Sequence, residues 1–285
     1  MTGAPPRAIR LHVGAHKTAT THFQRSLFRH REALRALGID FVGPQELRES
    51  IRRQTQWVWL PGGRTRRMRT ALAPLVTGAP VLAASEENVL GTVSDAFASE
   101  PYPRLAASAR PMAAALRGAP VEIFLAIRSF DRLWPSCYAE ALRRGWTPPT
   151  LAALADLARR PPSWLGVCRR LRRVWPDAPL TVWRHEDYDA RRMATVFLGC
   201  DPGPLPGVAR FNRRESPSAE GVRLALAAAG DTEAVGAIFA AHPARGGEPF
   251  QPFDAAAVAA LREAYARDLA ALAADPTVRL LPPAG

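Results

Sequence analysis

Short unbroken runs of apolar residues alternate along the chain with longer stretches in which apolar side chains recur every three or four positions. Unbroken runs are typical of strands buried on both faces of a parallel sheet, whereas the longer spacing is typical of a helix with one buried face. The runs predict strands at residues 9–13, 80–84, 121–127 and 180–183, and a shorter extended piece at 39–42.

The stretches with helical spacing separate these strands. The first helix is predicted to begin near Thr20, where a threonine can cap it, to bury Phe23 and Leu27, and to end at Gly38. Further helices are predicted over residues 103–117, 131–144, 151–159, 163–174 and 254–274, and two more within 45–77, broken at Gly62-Gly63. Pro135 is expected in the first turn of its helix, where a missing amide proton costs no hydrogen bond.

The alternation of strands and helices predicts an α/β fold, a P-loop-like three-layer sandwich with a central parallel sheet and helices on both faces. A length of 285 residues without an internal repeat predicts one domain over residues 1–285, with a flexible lead-in at 1–8 and a helical C-terminal part at 200–285. No run of 18 or more apolar residues occurs, so no membrane-spanning helix is predicted.

The three cysteines, Cys137, Cys168 and Cys200, lie far apart, without the spacing of a metal site or a disulfide framework. The N-terminus also lacks the apolar core of a signal peptide. We therefore expect a reduced, cytoplasmic protein without a metal site.

The formal net charge of +12 favours an anionic partner, which leaves open a basic module that binds nucleic acid or an acidic glycan. The arginines are scattered over predicted helices rather than gathered in a basic tail, so no nucleic-acid partner is expected. The densest segment, residues 48–69, also holds Trp57 and Trp59, and is either an acceptor surface or a set of solvated helix faces.

Lys17 is the only lysine in the sequence, and it lies in the turn between the first strand and the first helix. A compact ammonium beside the amides of a helix N-terminus suits a phosphate or sulfate group, because both attract an anion. The alternative is a lysine that survives by chance on a solvated turn. The turn begins at Gly14 but has His16 where the nucleotide-triphosphatase pattern G-x-x-x-x-G-K-[ST] has its second glycine.

No predicted strand ends in an aspartate suited to magnesium; the strands end instead at Ser85-Glu86, Arg128 and Arg184. Metal-dependent hydrolysis of a nucleoside triphosphate is therefore disfavoured, and a P-loop kinase or NTPase stays an alternative.

Arg128 ends one strand, and Ser136 lies eight residues later, in the next helix. A guanidinium and a hydroxyl in these places can hold a second phosphate. The alternative is that Arg128 pairs with Asp131 and that Ser136 packs inside its helix.

Two segments together resemble a known family. Residues 12–24, HVGAHKTATTHFQ, resemble the 5′-phosphosulfate loop of PAPS-dependent sulfotransferases, whose core is K-T-[GA]-T-T, and look most like the bacterial branch. Residues 127–138, IRSFDRLWPSCY, are similar to the family's 3′-phosphate strand and helix. The resemblance spans roughly residues 9–190, with two departures: Ala19 stands where Gly is commoner, and Phe130 where Pro is usual.

The resemblance implies transfer of a sulfuryl group from PAPS (3′-phosphoadenosine 5′-phosphosulfate) to a hydroxyl or amine of a small-molecule or glycan acceptor, with release of 3′,5′-ADP and without a metal. The residues it implies around the 5′-phosphosulfate are Lys17, Thr18, Ala19, Thr20 and Thr21. It implies that Arg128 and Ser136 hold the 3′-phosphate, whereas Arg213 and Arg214 are expected in solvent rather than at that phosphate.

A catalytic base must accept the proton of the acceptor group. Glu86, at the end of the strand that begins at 80, stands in the region where sulfotransferases place a catalytic His or Glu and is our first choice, while Glu87 is expected to point elsewhere. The two glutamates could instead form the acidic first turn of a helix. His12 and His16 are alternative bases, although a lone histidine is more often a structural hydrogen-bonding residue.

Overall fold

The computed structural model of the protein describes residues 8–55, 68, 70, 72, 75, 78–203 and 216–283. Several sequence-based predictions fall outside these residues. They concern residues 1–7 of the lead-in predicted at 1–8, Trp57 and Trp59, the helix break at Gly62-Gly63, and the pair Arg213 and Arg214, whereas Ala8 of that lead-in is described and lies in a strand.

Six strands in the described part of the chain form one parallel sheet. They are β1 (Ala8–His12), β2 (Ile39–Val42), β3 (Val81–Ser85), β4 (Val121–Ile127), β5 (Leu180–Arg184) and β6 (Val278–Leu280). Their order across the sheet is β2-β3-β1-β4-β5-β6. The predicted strands and the extended piece at 39–42 are confirmed, although β1 begins at Ala8 and not at Ile9. The edge strand β6 was not predicted, because three residues are too few to show a pattern.

Helices cover both faces of the sheet. They are α1 (Thr20–Arg29), α2 (Arg31–Ala36), α3 (Pro44–Thr55), α4 (Leu105–Ala115), α5 (Phe130–Arg143), α6 (Leu151–Ala158), α7 (Trp164–Val174), α8 (Ala190–Leu198), α9 (Ala219–Ala227), α10 (Thr232–Ala241) and α11 (Ala255–Ala274). Within the described residues, no helix has both the length and the apolar character that a membrane span requires.

The single helix predicted from Thr20 to Gly38 is in fact two helices, which meet at His30. The His30 ring lies 2.7 Å from the carbonyl oxygen of Ser26, the acceptor that the His30 amide would use in a continuous helix. The His30 amide donates instead to Leu27, three residues back. The side chain thus competes with the backbone and ends α1.

The prediction for Pro135 was wrong, because α5 begins at Phe130 and the proline lies in its second turn. A proline there removes the hydrogen bond to the carbonyl four residues earlier, which belongs to Asp131. That carbonyl accepts from the side-chain amide of Gln251 at 3.3 Å. The helix therefore continues through Pro135 with the affected acceptor still satisfied.

The sheet separates two hydrophobic clusters, which gives the predicted three layers. One cluster contains Leu11 of β1 together with Trp134 and Trp164 of the helices on that face. The other contains Phe23, Phe124, Trp183 and Phe197, among other residues. Burying one such aromatic side chain contributes about 2–3 kcal/mol, so both faces hold their helices firmly. The α/β class with a parallel sheet is confirmed.

The strand order creates a crevice at the carboxyl ends of β1 and β3. The connection that leaves β1 runs to β2 at one edge of the sheet, whereas the connection that leaves β3 passes over β1 to β4. Open α/β sheets bind ligands outside the carboxyl ends of two neighbouring strands whose connections diverge in this way. Residues 13–19 and 86–90, which follow β1 and β3, border that crevice.

Candidate functional site

The loop after β1 is anchored to the sheet before it turns. The amides of Val13 and Ala15 donate to carbonyls of β4 at 2.9 and 2.7 Å. Between them Gly14 has a φ of +100°, and a Cβ at this position would lie 2.9 Å from the Cβ of Glu87. Glycine is therefore required here both by the backbone conformation and by the close approach of the segment after β3.

The turn itself places two residues in the left-handed region, Lys17 with a φ of 59° and Ala19 with a φ of 65°. Ala19 is the N-cap of α1, and no side chain among the described residues caps the helix there, so the predicted threonine cap was wrong. A helix N-terminus without a side-chain cap favours an anion as the acceptor of its first amides.

The threonines of the turn do different things. The Thr18 hydroxyl is buried and donates to the Ala15 carbonyl at 2.6 Å, which holds the turn closed. Thr20 is buried at the first position of α1, and Thr21 beside it is exposed. The structure thus gathers the predicted loop residues in one turn. The hydroxyl proton of Thr18 is donated within the loop, to Ala15.

Lys17 contacts a residue that the sequence did not single out, Glu140 of α5. Its Nζ donates to Glu140 Oε2 at 3.1 Å, and Arg144 donates to the other carboxylate oxygen at 2.9 Å. Burial acts to raise the pKa of Glu140, but Lys17 and Arg144 outweigh it, so the pKa lies below its usual value. Glu140 is one helical turn after Ser136, so both side chains lie on one face of α5.

Arg128 connects the two predicted phosphate motifs directly. Its guanidinium donates to the carbonyl of Lys17 at 3.0 Å, and its own carbonyl accepts from the indole nitrogen of Trp164 at 2.8 Å. Burial lowers the pKa of Arg128. Ser136 follows in the second turn of α5 and is half-buried. The structure therefore brings Arg128 and the backbone of Lys17 together at the carboxyl ends of the neighbouring strands β1 and β4.

Asp131 is not the hydrogen-bonding partner of Arg128. It is fully buried, and its carboxylate accepts from Ser129 and, at 2.9 Å, from Arg262 of α11. The backbone amide of Ser129 donates to Glu186, which also accepts from the Tyr265 hydroxyl of α11 at 3.0 Å. The C-terminal helix thus fixes the loop that carries Arg128.

Glu86 follows β3 and caps the short 3₁₀ helix Glu87–Val89, so the alternative of an acidic helical turn is close to what is found. Its carboxylate is fully buried and accepts two hydrogen bonds from Arg48 of α3, both at 2.6 Å, and one from the Asn88 amide. Burial raises its pKa to about 7 against the opposing effect of Arg48.

Glu87, expected to point elsewhere, lies against the loop after β1. Its carboxylate accepts from Gln24 of α1 at 2.9 Å and from Arg48 at 3.1 Å, and its side chain is 17% exposed. Burial acts to raise its pKa, but His16 and Arg48 outweigh it and lower the pKa. Glu87 is therefore a charged carboxylate that reaches the crevice.

The two histidines of the loop region differ in position. His16 is buried between the Tyr102 hydroxyl at 3.3 Å and Asn88 at 3.2 Å, and burial lowers its pKa. His12 points to the other face of the sheet, is 1% exposed and stacks on Trp183. Only His16 therefore borders the crevice.

Comparisons with known proteins give one remote likeness. No protein-family model matches the chain, and no curated protein matches it. A solved structure that it resembles is a sulfotransferase from Alicyclobacillus acidocaldarius, at 17% sequence identity and a TM-score of 0.44. The match covers 83% of this chain and 96% of that one. A likeness this remote carries no inference about activity.

The sequence did not single out Glu140, Gln24 or Tyr102, which act through long-range contacts, and Glu87 was expected to point elsewhere. Two of them had a local signal, because Gln24 ends the loop motif and Glu140 lies four residues after Ser136 on a predicted helix. Tyr102 had none, since only the fold brings it to His16. Arg48 was noted as part of the arginine-dense segment and not as a partner of the two glutamates.

Proposed function

We propose that the protein is a sulfotransferase that moves a sulfuryl group from PAPS to a hydroxyl or amine of a small-molecule or glycan acceptor and releases 3′,5′-ADP. The observation that carries the proposal is the 3.0 Å hydrogen bond from the Arg128 guanidinium to the Lys17 carbonyl. A nucleotide with phosphates on its 3′ and 5′ oxygens needs cationic side chains near both, and this contact supports the proposal because it joins Arg128 to the loop that carries Lys17.

In the proposed site, the 5′-phosphosulfate lies at the N-terminus of α1, against Lys17 and the residues Ala19, Thr20 and Thr21. Arg128 and Ser136 hold the 3′-phosphate. The dipole and the amides of α1 favour the anion, and the shape of the turn depends on Gly14 and on the internal hydrogen bond of Thr18.

In the reaction, the bond between sulfur and the oxygen that bridges to the 5′-phosphate breaks, and its electron pair stays on that oxygen. A new bond forms between sulfur and the acceptor oxygen or nitrogen, whose proton passes to a base. Lys17 stabilises the charge that develops on the bridging oxygen, since a compact ammonium can approach a single atom closely.

For the base we propose Glu87, and we keep Glu86 and His16 as alternatives. A base must first reach the proton, and Glu87 is the partly exposed carboxylate next to the loop. Glu86 has the more suitable pKa, about 7, but it is fully buried beneath Arg48. His12 has no part in the proposal, because its ring lies among aromatic side chains on the other face of the sheet.

The test is the thermal shift produced by 3′,5′-ADP without magnesium. A ligand at one hundred times its Kd stabilises the folded state by about 2.7 kcal/mol, so the melting temperature rises. Adenosine 5′-monophosphate, which lacks the 3′-phosphate, should give a smaller shift. Arg128→Ala should remove the preference for 3′,5′-ADP over adenosine 5′-monophosphate. Arg132 is an exposed arginine of α5, and Arg132→Ala should keep this preference.

The two alternatives predict different results. A P-loop kinase or NTPase would respond to Mg-ATP and not to 3′,5′-ADP. A basic module would bind nucleic acid or an acidic glycan in a salt-dependent manner that survives Lys17→Ala. Either result would replace the sulfotransferase proposal.

A further inference from the structure

The ammonium of Lys17 already has an anionic partner inside the protein. Its Nζ lies 3.1 Å from Oε2 of Glu140, on the helix that also carries Ser136. A phosphate or sulfate at the N-terminus of α1 therefore has to share Lys17 with a carboxylate or take Lys17 from it.

Glu140 is held in place and kept charged by its surroundings. Its carboxylate is 9% exposed, Arg144 donates to Oε1 at 2.9 Å, and Arg143 lies 3.9 Å from Oε2. The guanidinium of Arg143 lies over the ring of Phe239, and that of Arg144 over Trp146. These contacts fix the carboxylate, so Glu140 differs from an exposed acidic side chain that meets a lysine by chance.

We propose that Glu140 is a positioning residue that competes with the incoming anion for Lys17. It fixes the direction of the ammonium from the side of α5, and it lowers the affinity of the loop for an anion until the anion displaces it. This inference rests on the proposed function as far as the nucleotide is concerned, but the competition applies to any anion that Lys17 holds.

The first experiment measures the Kd of 3′,5′-ADP and of inorganic pyrophosphate for the wild type and for Glu140→Gln. We expect the Kd of both probes to fall about tenfold, since a neutral amide competes less well for an ammonium. Glu140→Asp, which keeps the charge, should stay near the wild type. Glu263→Gln is the matched control, because it removes an exposed carboxylate paired with Arg267 and should leave both Kd values unchanged.

A double-mutant cycle separates competition from a general effect of charge. In the Lys17→Ala background there is no ammonium to compete for, so Glu140→Gln should no longer improve binding. A gain of equal size in both backgrounds would overturn the proposal in favour of simple repulsion. Weaker binding by Glu140→Gln in the Lys17 background would also overturn it.

Arg144→Gln gives an independent measurement if Glu140→Gln does not fold. Arg144 is largely exposed, and its loss should leave the Glu140 carboxylate to Lys17 and the more distant Arg143, so Glu140 holds Lys17 more strongly and anion binding weakens several-fold. Unchanged binding there would contradict the proposal. If the wild type binds pyrophosphate but not 3′,5′-ADP, the sulfotransferase proposal fails while the competition is still measured. If it binds neither, both proposals fail.

Discussion

At the scale of single residues, His12 shows how burial in a fold can keep a histidine from being protonated near neutral pH. Its ring stacks on Trp183 with centroids 5.1 Å apart, and its Nδ1 lies 2.8 Å from the Ser85 hydroxyl. Burial lowers its pKa to about 4, although Glu87 acts in the opposite direction. His12 is therefore neutral near pH 7, and it joins β1 to β3.

We expect His12 to make the free energy of unfolding depend on pH. In the unfolded chain His12 has the ordinary pKa of 6.5, whereas in the folded protein its pKa is about 4. Between these two values the unfolded state binds the proton and the folded state does not, so stability is lost as the pH falls from 6.5 to 4. Relative to His12→Phe, the wild type should lose about 2 kcal/mol of unfolding free energy between pH 7.5 and pH 5. Urea unfolding at the two pH values measures this.

The comparison with the variant is needed because Glu86 acts in the opposite direction. Burial raises the pKa of Glu86 to about 7, so its contribution to stability is lost as the pH rises from 4.5 to 7. This contribution is common to both proteins and cancels. An equal pH dependence in wild type and His12→Phe would contradict the assignment.

The two glutamates after β3 should separate into a functional and a structural residue. Glu87→Gln should lower kcat about a hundredfold and change the Kd of 3′,5′-ADP little, because general base catalysis contributes on this order. Glu86→Gln should cost about 2–3 kcal/mol of stability, since it breaks the paired hydrogen bonds to Arg48. Steady-state kinetics and urea unfolding measure these effects. A stable but inactive Glu86→Gln beside an active Glu87→Gln would reverse the assignment.

At the scale of elements, α11 supports the site without bordering it. Arg262 reaches the buried Asp131 at the start of α5, and Tyr265 reaches Glu186 beneath the backbone of Ser129. The loop between β4 and α5 is thus fixed from its far side. The direction of Arg128 depends on a helix more than a hundred residues later in the chain.

Arg262→Ala should therefore destabilise the protein more than the loss of an exposed arginine normally does. It removes a partner from a fully buried carboxylate, which costs about 2 kcal/mol, and it should weaken binding of 3′,5′-ADP. Arg267→Ala, on the same helix, breaks an exposed pair with Glu263 and should cost about 0.5 kcal/mol or less. Equal losses in urea unfolding would show that the contact to Asp131 carries no special weight.

At the scale of the whole molecule, the N-terminal and C-terminal parts share one sheet. Strand β6 extends the sheet next to β5, and α11 packs against α5, α6 and α7. A chain divided into independent units would lack such contacts. We infer that the described residues belong to one cooperative unit.

This predicts one unfolding transition. Tryptophan fluorescence, which reports on the buried Trp134, Trp164 and Trp183, should change at the same urea concentration as the helical circular dichroism signal. An excess of 3′,5′-ADP should move both curves together. Two separate midpoints, with only one of them sensitive to the ligand, would show that the C-terminal helices fold apart from the site.

The sequence by itself determined the fold class, most element boundaries and the position of the loop. Unbroken apolar runs and helical spacing are local patterns, and residues 9–13 and 121–127 carry them clearly. Lys17 and Arg128 were recognisable because each stands at the end of such a strand. Local signals also misled, as the helix break at His30 depends on one side-chain hydrogen bond.

Only the tertiary structure decided which side chains meet. Glu140 reaches Lys17 across 123 positions of sequence, and Arg262 reaches Asp131 across 131. The tertiary structure also decided that Glu86 is buried against Arg48 while Glu87 faces the loop after β1. Successive residues of an extended chain point to opposite sides, so a shift of one residue at the end of β3 would exchange the two glutamates. Such contacts depend on strand order and helix packing, which no local pattern of residues specifies.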